Sequence, residues 1–248
     1  QKYAHIITGG LGGLGLRAAL MLQQNGLTRR VVLASRSGVI AREGQGLAAQ
    51  LDVLWSSDLR LSVLSCDVTD AHAATSMIQK ECFACPVSLL HAAGVGDKGL
   101  VNKITPLQMW VVHESKAVSA QRVLLALANA SISHAMLFSS VAAGVGQVGQ
   151  SNYSAANAYL DAFASQSQLG KAQVCSLQLP YITGAGMGAA HIDLCTSSGK
   201  RGGTFRGLAA LSLEQYATCL RAIVSSTQKD MFCAVLLVQM PEQLIKSL

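Results

Sequence analysis

The stretch Tyr3-Ala4-His5-Ile6-Ile7-Thr8-Gly9-Gly10-Leu11-Gly12-Gly13-Leu14-Gly15-Leu16-Arg17-Ala18-Ala19-Leu20 passes from a short apolar run through five glycines into a helical pattern that continues to Leu22. Glycine tolerates positive φ and lets another backbone or a ligand come close, and a helix that starts inside such a turn presents unpaired N–H groups to an anion. A glycine-rich turn alone is weak evidence, because many bind nothing. Here a strand precedes it and a helix follows, which is the context a pyrophosphate cradle needs. Thr8, Gly9, Gly10, Gly13, Leu14 and Gly15 are the first candidate cofactor-binding residues.

Working outward, further short apolar runs read as strands at Arg30–Ala34, Leu61–Ser65, Ser88–Ala92, Ala135–Ser139, Val174–Gln178 and Met231–Val238. Helical periodicity falls between them, near Gly13–Asn25, Glu43–Ser57, Ala71–Glu81, Pro106–Asn129, Asn152–Leu169 and Ser212–Ser226, with Pro106 placed for a first helical turn. Strands that alternate with helices need crossover connections, and so a mainly parallel sheet covered on both faces. The expectation is an α/β, Rossmann-type doubly wound parallel sheet of about seven strands with helices on both faces. Thr183–Arg206, rich in Gly, Ser and Ala, has little apolar periodicity and follows the sixth strand, where open α/β sheets bind ligands. It reads as a lid, the alternative being a disordered insertion.

Composition bounds the remaining choices. The chain has 248 residues, 50% of them hydrophobic and 13% charged, which suits one domain with a large core, so 1–248 is read as a single unit. No apolar stretch is long enough for a membrane span. The seven cysteines are odd in number and scattered, as in a reducing, cytoplasmic compartment. Cys82 and Cys85 form a lone CxxC with no second ligand pair, so no metal is expected. The formal charge of +6 comes from dispersed Lys and Arg without interleaved aromatics, which argues against nucleic acid and fits an anionic cofactor. The chain begins with Gln1 and enters a strand pattern almost at once, which reads as a piece of a longer chain.

The second strand ends in Ala34-Ser35-Arg36-Ser37. An acidic residue there would favour NAD, whereas Arg36 can pair with a 2′-phosphate, so NADPH is expected with Ser35 and Arg36 as contacts. After the third strand, Asp67 and Val68 lie where adenine would be, although an Asp there can also cap a helix. After the fourth, His91-Ala92-Ala93-Gly94 supplies small residues beside the nicotinamide half, and Ala92, Ala93 and Gly94 complete the candidate set.

Reduction of a ketone by a nicotinamide needs a proton donor at the forming alkoxide, a group polarising the carbonyl, and a cation that lowers the donor's pKa. The fifth strand ends in Phe138-Ser139-Ser140, and a glycine-containing loop leads to Ser151-Asn152-Tyr153-Ser154-Ala155-Ala156-Asn157-Ala158-Tyr159-Leu160-Asp161-Ala162-Phe163. Tyr153 and Asn157 share a helical face, and Tyr159 does not belong to it and reads as packing. These residues resemble the short-chain dehydrogenase/reductase superfamily. Most of its members carry Lys four residues after the catalytic Tyr and Asn on the preceding helix. Here Asn157 takes the first place and Lys116, in His113-Glu114-Ser115-Lys116-Ala117, lies on the preceding helix. That exchange, with the glycine loop, Ser35-Arg36-Ser37-Gly38, His91-Ala92-Ala93-Gly94 and the Tyr153 segment, resembles the catalytic half of type I polyketide synthase ketoreductase domains over about Tyr3 to Val238.

The resemblance implies NADPH-dependent reduction of a carrier-bound β-ketoacyl thioester to the β-hydroxyacyl thioester. It implies Tyr153 as proton donor, Ser140 as hydrogen-bond donor to the carbonyl, Lys116 as the cation near Tyr153 and the ribose, and Asn157 as a supporting group. It also implies a phosphopantetheine-bearing acyl carrier protein and other synthase domains in cis as partners, and a structural half upstream of Gln1. Ser139 stays open as an alternative to Ser140. A fatty acid synthase ketoreductase of animal type, a non-catalytic NADPH-binding scaffold and a freestanding reductase are the other readings, the last disfavoured by the Lys and Asn exchange. Departures from the pattern fall on the substrate side. Gly96-Asp97-Lys98 retains one Asp of the Leu-Asp-Asp class, and Val145 replaces the Trp of the opposite class, which tilts the expected product toward the Asp-bearing class. After the sixth strand Leu179-Pro180-Tyr181-Ile182 replaces the family's Trp-containing phrase, while Gly186-Met187 matches.

Overall fold

A computed structural model describes residues 3–81, 85–128, 130, 132–167, 172–187, 210–225 and 233–235. Seven strands form one sheet: β1 Tyr3–Thr8, β2 Thr28–Ser35, β3 Arg60–Ser65, β4 Val87–His91, β5 Ile132–Ser140, β6 Gln173–Leu179 and β7 Cys233–Val235. Their order is β3-β2-β1-β4-β5-β6-β7, and every neighbouring pair is parallel. The helices are α1 Gly13–Gln24, α2 Leu47–Trp55, α3 Ala71–Glu81, α4 Pro106–His113, α5 Ser119–Ala126, α6 Ala142–Val145, α7 Ser151–Gln166 and α8 Leu213–Val224.

The strands are apolar on both sides because both faces of the sheet are covered. Ile7, Leu33, Leu90, Phe138 and Leu177 pack under α1, α2 and α8 with Tyr216 and Leu220. Their sequence neighbours Ile6, Val32, Leu89 and Leu137 point the other way, against Val123, Leu124 and Leu160 of α5 and α7. Period-two alternation thus divides each continuous apolar run between two cores.

Helix starts are set by local chemistry. Thr105 and Gln108 form a capping box ahead of Pro106, with Gln108 N–H donating to Thr105 Oγ1 at 3.3 Å and Thr105 N–H to Gln108 Oε1 at 3.0 Å. Ser212 and Gln215 do the same at α8. By contrast α1 begins at Gly13 after Gly12 with no side-chain cap and no acidic residue in its first turn. The expectation of one helix over Pro106–Asn129 is corrected: a π-helical turn, Glu114–Val118, separates α4 from α5, which ends at Ala126. Ser115 Oγ–H donates to Val112 O at 3.1 Å and Ser119 Oγ–H to Ser115 O at 2.7 Å, so serine hydroxyls take carbonyls that a regular ladder would use.

The order reverses at β1, which lies between β2 and β4. The strand C-terminal ends on either side of that point form the crevice where open α/β sheets take ligands. Of the Thr183–Arg206 segment, only the first residues are described, and 188–206 lie outside the described residues. Ile182 and Leu211 form a parallel bridge on either side of it, with Thr183 N–H donating to Leu211 O at 2.9 Å. No helix among the described residues is long and apolar enough to cross a membrane.

Candidate active site

The glycine loop follows β1 at the reversal point. Gly9 has φ +65°, and a Cβ there would stand 2.6 Å from Ala92 O, so the loop packs directly on the chain leaving β4. A Cβ on Gly10 would stand 2.6 Å from Ile7 O, and one on Gly15 2.5 Å from Gly9 O. Gly13 packs against the segment after β6, since its Cβ would meet Gly186 N at 2.4 Å. Gln45 holds that segment from the other side, accepting from Gly186 N–H at 2.9 Å. Tyr216, fully buried on α8, donates its hydroxyl to Leu14 O at 3.1 Å and so braces the first turn of α1. The result is a tight backbone cradle below an uncapped helix N-terminus, which suits a pyrophosphate.

The outer candidates divide by what their side chains already do. Thr8 is fully buried with its hydroxyl 2.8 Å from His91 Nδ1, so it anchors the loop from behind rather than lining the cradle. Ser35 Oγ accepts from Gly38 N–H at 3.1 Å and shapes the turn that leaves Arg36 exposed. Capping of α3 falls to Asp70, whose Oδ1 accepts from His72 and Ala73 N–H, and not to Asp67. Asp67 is exposed, and its Oδ1 takes the N–H and hydroxyl of Thr69. Val68 is buried beneath it. Exposed Arg36 and Asp67 beyond the cradle fit the adenosine end of a nicotinamide dinucleotide.

Three elements bring the catalytic candidates together. Lys116 projects from the π turn, Ser140 ends β5, and Tyr153 and Asn157 lie one turn apart on α7. Lys116, only 4% exposed, donates from Nζ to Phe138 O at 2.7 Å, and Nζ stands 5.5 Å from the Tyr153 ring centroid. Burial lowers the Lys116 ammonium to about 8, against a smaller opposing pull from Asp161. Burial likewise pushes the Tyr153 phenol up, opposed by hydrogen bonds with the Asn157 and Ser140 side chains. Nζ is engaged by the Phe138 carbonyl and stands over the Tyr153 ring.

The two serines at the end of β5 have different tasks. Ser139 is buried and donates to Asn157 O at 3.2 Å, whereas half-buried Ser140 acts on Tyr153 and accepts from Ala142 N–H at 3.2 Å. Asn157 donates from Nδ2 to Tyr153 O at 2.8 Å, and its buried Oδ1 has no partner. Tyr159 packs elsewhere, stacked on Phe163 and edge-on to His113.

Two features that sequence reasoning missed frame the cleft. The loop after β4 is fastened to the entrance of α7 by Gly99 N–H donating to Gly149 O at 2.9 Å. Buried Asn152 donates to Asp97 Oδ2 at 3.2 Å while its Oδ1 accepts from Tyr153 N–H at 2.9 Å. Across the mouth, a Cβ on Gly96 would lie 3.4 Å from the Met187 sulfur. His91 is the other, a fully buried hub between Thr8, Lys116 and Ser119. Among the described residues, no group of three or more His, Cys, Asp or Glu could hold a metal.

Comparison with known proteins places these motifs. The KR domain family matches residues 4–184. The chain is 33% identical over 237 residues to the phenolphthiocerol synthesis polyketide synthase type I Pks15/1 of Mycobacterium marinum, covering 93% of this chain and 11% of that protein. It is 36% identical over 160 residues to the polyketide synthase GfsA of Streptomyces halstedii, covering 64% of this chain and 2% of that protein. Among solved structures, an A-type ketoreductase from a modular polyketide synthase superposes with TM-score 0.78 at 27% identity, covering 96% of this chain and 48% of that one. The first-module ketoreductase of phoslactomycin biosynthesis in Streptomyces sp. HK803 superposes with TM-score 0.81 at 26% identity, covering 96% and 53%. The chain thus spans about a tenth or less of the synthases it matches and about half of the solved ketoreductases.

Proposed function

Because this chain belongs to the KR domain family, we propose that it reduces a β-ketoacyl thioester, carried by an acyl carrier protein, to the β-hydroxyacyl thioester with NADPH during polyketide chain extension. The observation that carries the reading is the convergence of Ser140, Tyr153, Asn157 and buried Lys116 beside the glycine cradle.

Gly9, Gly10, Gly13, Leu14 and Gly15 would hold the pyrophosphate, Arg36 and Ser35 the 2′-phosphate, Asp67 and Val68 the adenine, and Ala92, Ala93 and Gly94 the nicotinamide half. When bound, the dihydronicotinamide supplies the hydride for the carbonyl carbon. Ser140 donates a hydrogen bond to the carbonyl oxygen and polarises it. Tyr153 gives its phenolic proton to the oxygen as negative charge develops there. A phenol held above its ordinary value by burial keeps that proton until the substrate oxygen becomes basic enough to take it. Lys116 then offsets the phenolate through the ring it faces and holds the ribose. Asn157 Oδ1, a buried acceptor without a partner, would orient a water that returns a proton to Tyr153.

The named relatives are polyketide synthases, which supports that setting over a fatty acid synthase, and synthase domains in cis are the expected neighbours. The odd number and scattered placement of the seven cysteines fit a reducing, cytoplasmic compartment. The purified protein, given NADPH and a β-ketoacyl thioester, is expected to consume the cofactor and release the β-hydroxy product. Tyr153→Phe is expected to lose about 10²- to 10⁴-fold in kcat while still binding NADPH. Cofactor binding with no turnover in the unaltered protein would return the chain to a scaffold role.

A further inference from the structure

His91, the last residue of β4, is fully buried between three segments that converge on the cleft. Its Nδ1 lies 2.8 Å from Thr8 Oγ1 at the head of the glycine loop. Its Nε2 lies 3.0 Å from the Lys116 carbonyl and 3.2 Å from Ser119 Oγ, on either side of the end of the π turn. Burial first, and then the Lys116 charge, drive its pKa down to about 3, so the ring is neutral and has a single N–H. A carbonyl only accepts, so that hydrogen sits on Nε2. The Ser119 hydroxyl proton goes to Ser115 O at 2.7 Å, which leaves its oxygen as a further acceptor. Nδ1 then holds the lone pair and accepts from the Thr8 hydroxyl. The chain of hydrogen bonds runs one way, from Thr8 through His91 to the Lys116 backbone.

We propose that His91 is a positioning residue for Lys116: its neutral ring ties the π turn to the head of the glycine loop and so fixes where the ammonium stands relative to the cofactor and Tyr153. The inference rests on the reductase reading above. Neither ring nitrogen faces the cleft, because both are engaged by buried partners. A helix of regular pitch would carry its own carbonyls through i+4 bonds. The π turn loosens that ladder, and an outside donor at the Lys116 carbonyl fixes the irregular turn in one geometry.

Two amide substitutions separate this role from mere packing. The glutamine amide nitrogen reaches the place of Nε2, so His91→Gln keeps a donor for the Lys116 carbonyl. The asparagine nitrogen reaches only the place of Nδ1, so His91→Asn removes the outside donor to that carbonyl and leaves it only Ser119 of its own helix. With a β-ketoacyl thioester and NADPH, His91→Asn is expected to lose about 100-fold in kcat, the scale on which an ångström of misplacement acts, with the thioester KM little changed. His91→Gln is expected to recover most of that loss, and the NADPH dissociation constant should follow the same order. Thermal unfolding of each variant reports folding. In ¹⁵N-histidine spectra of the unaltered protein, the resonances lost in His91→Gln should show an Nε2–H tautomer that does not titrate between pH 5 and 8. An Nδ1–H tautomer, titration near pH 6.5, or equal kcat and NADPH affinity in both variants would overturn the proposal. Absence of turnover in the unaltered protein would instead reject the reductase reading, while the tautomer and the NADPH affinities would still decide the role of His91.

Discussion

Lys116 occupies the space that a side chain at Gly94 would take: a Cβ on Gly94 would stand 2.8 Å from Lys116 Cγ and 3.0 Å from Cε. The third small residue after His91 is therefore small on account of the lysine stem as well as the cofactor. Gly94 has φ +156°, so Gly94→Ala is expected to strain the backbone as well as to displace that flexible stem. It should lower kcat by about 100-fold and leave far-ultraviolet circular dichroism unchanged. Steady-state kinetics of the variant, with NADPH titrated separately, checks this.

A buried lysine makes stability depend on pH in a defined direction. Its folded value of about 8 lies below the ordinary 10.5, so between these values the unfolded chain holds more protons than the folded one. Stability therefore rises with pH across that window, and below it the burial penalty is fully present. Relative to Lys116→Met, the unaltered protein should gain about 3 kcal/mol from pH 8 to 10.5, the shift converted at about 1.4 kcal/mol per pKa unit. Urea unfolding of both proteins at several pH values measures the difference, and a flat difference would contradict the assignment.

Under the proposed function, exposed Arg36 selects NADPH over NADH. A hydrogen bond from a charged donor contributes about 1.5–3 kcal/mol, so Arg36→Ala should weaken NADPH about 10- to 100-fold and NADH very little. Titration of each cofactor followed by protein fluorescence compares them directly.

Asn152 joins the loop bearing Asp97 to the backbone of Tyr153. Asn152→Ala should leave Tyr153 in place on α7 but free Asp97, so the product of a racemic-prone β-keto substrate should lose configurational purity before kcat falls tenfold or so. The unaltered protein is expected to give the configuration of the Asp-bearing class. Chiral chromatography of both products tests the pair.

The sheet was legible because strands buried on both faces read as continuous apolar runs, and Ile6-Ile7 or Val32-Leu33 fit nowhere else. The cradle was legible because glycine is dictated by backbone contacts on both sides of the loop. Lys116 and Asn157 were legible as residue types at family positions. The π turn was not, since apolar spacing does not distinguish i+4 from i+5 bonding over a single turn. His91 read only as the start of a small-residue phrase, because its three partners lie 83, 25 and 28 positions away. The approach of Gly13 to Gly186 is likewise invisible along the chain.

The π turn also has a consequence for phase. Each helical residue turns the chain by about 100°, so one added residue leaves the segments before and after it a third of a turn out of step. Ahead of it Leu107 and Trp110 face solvent, and behind it Val123 and Leu124 are locked in the core. Deleting a residue from Glu114–Val118 would let the helix become regular, but only by swinging Lys116 off the cleft or by pulling Val123 and Leu124 out of their packing. The irregularity is held at both ends and has no way to slip out of the chain, so helix content and catalytic competence become separable quantities in this fold.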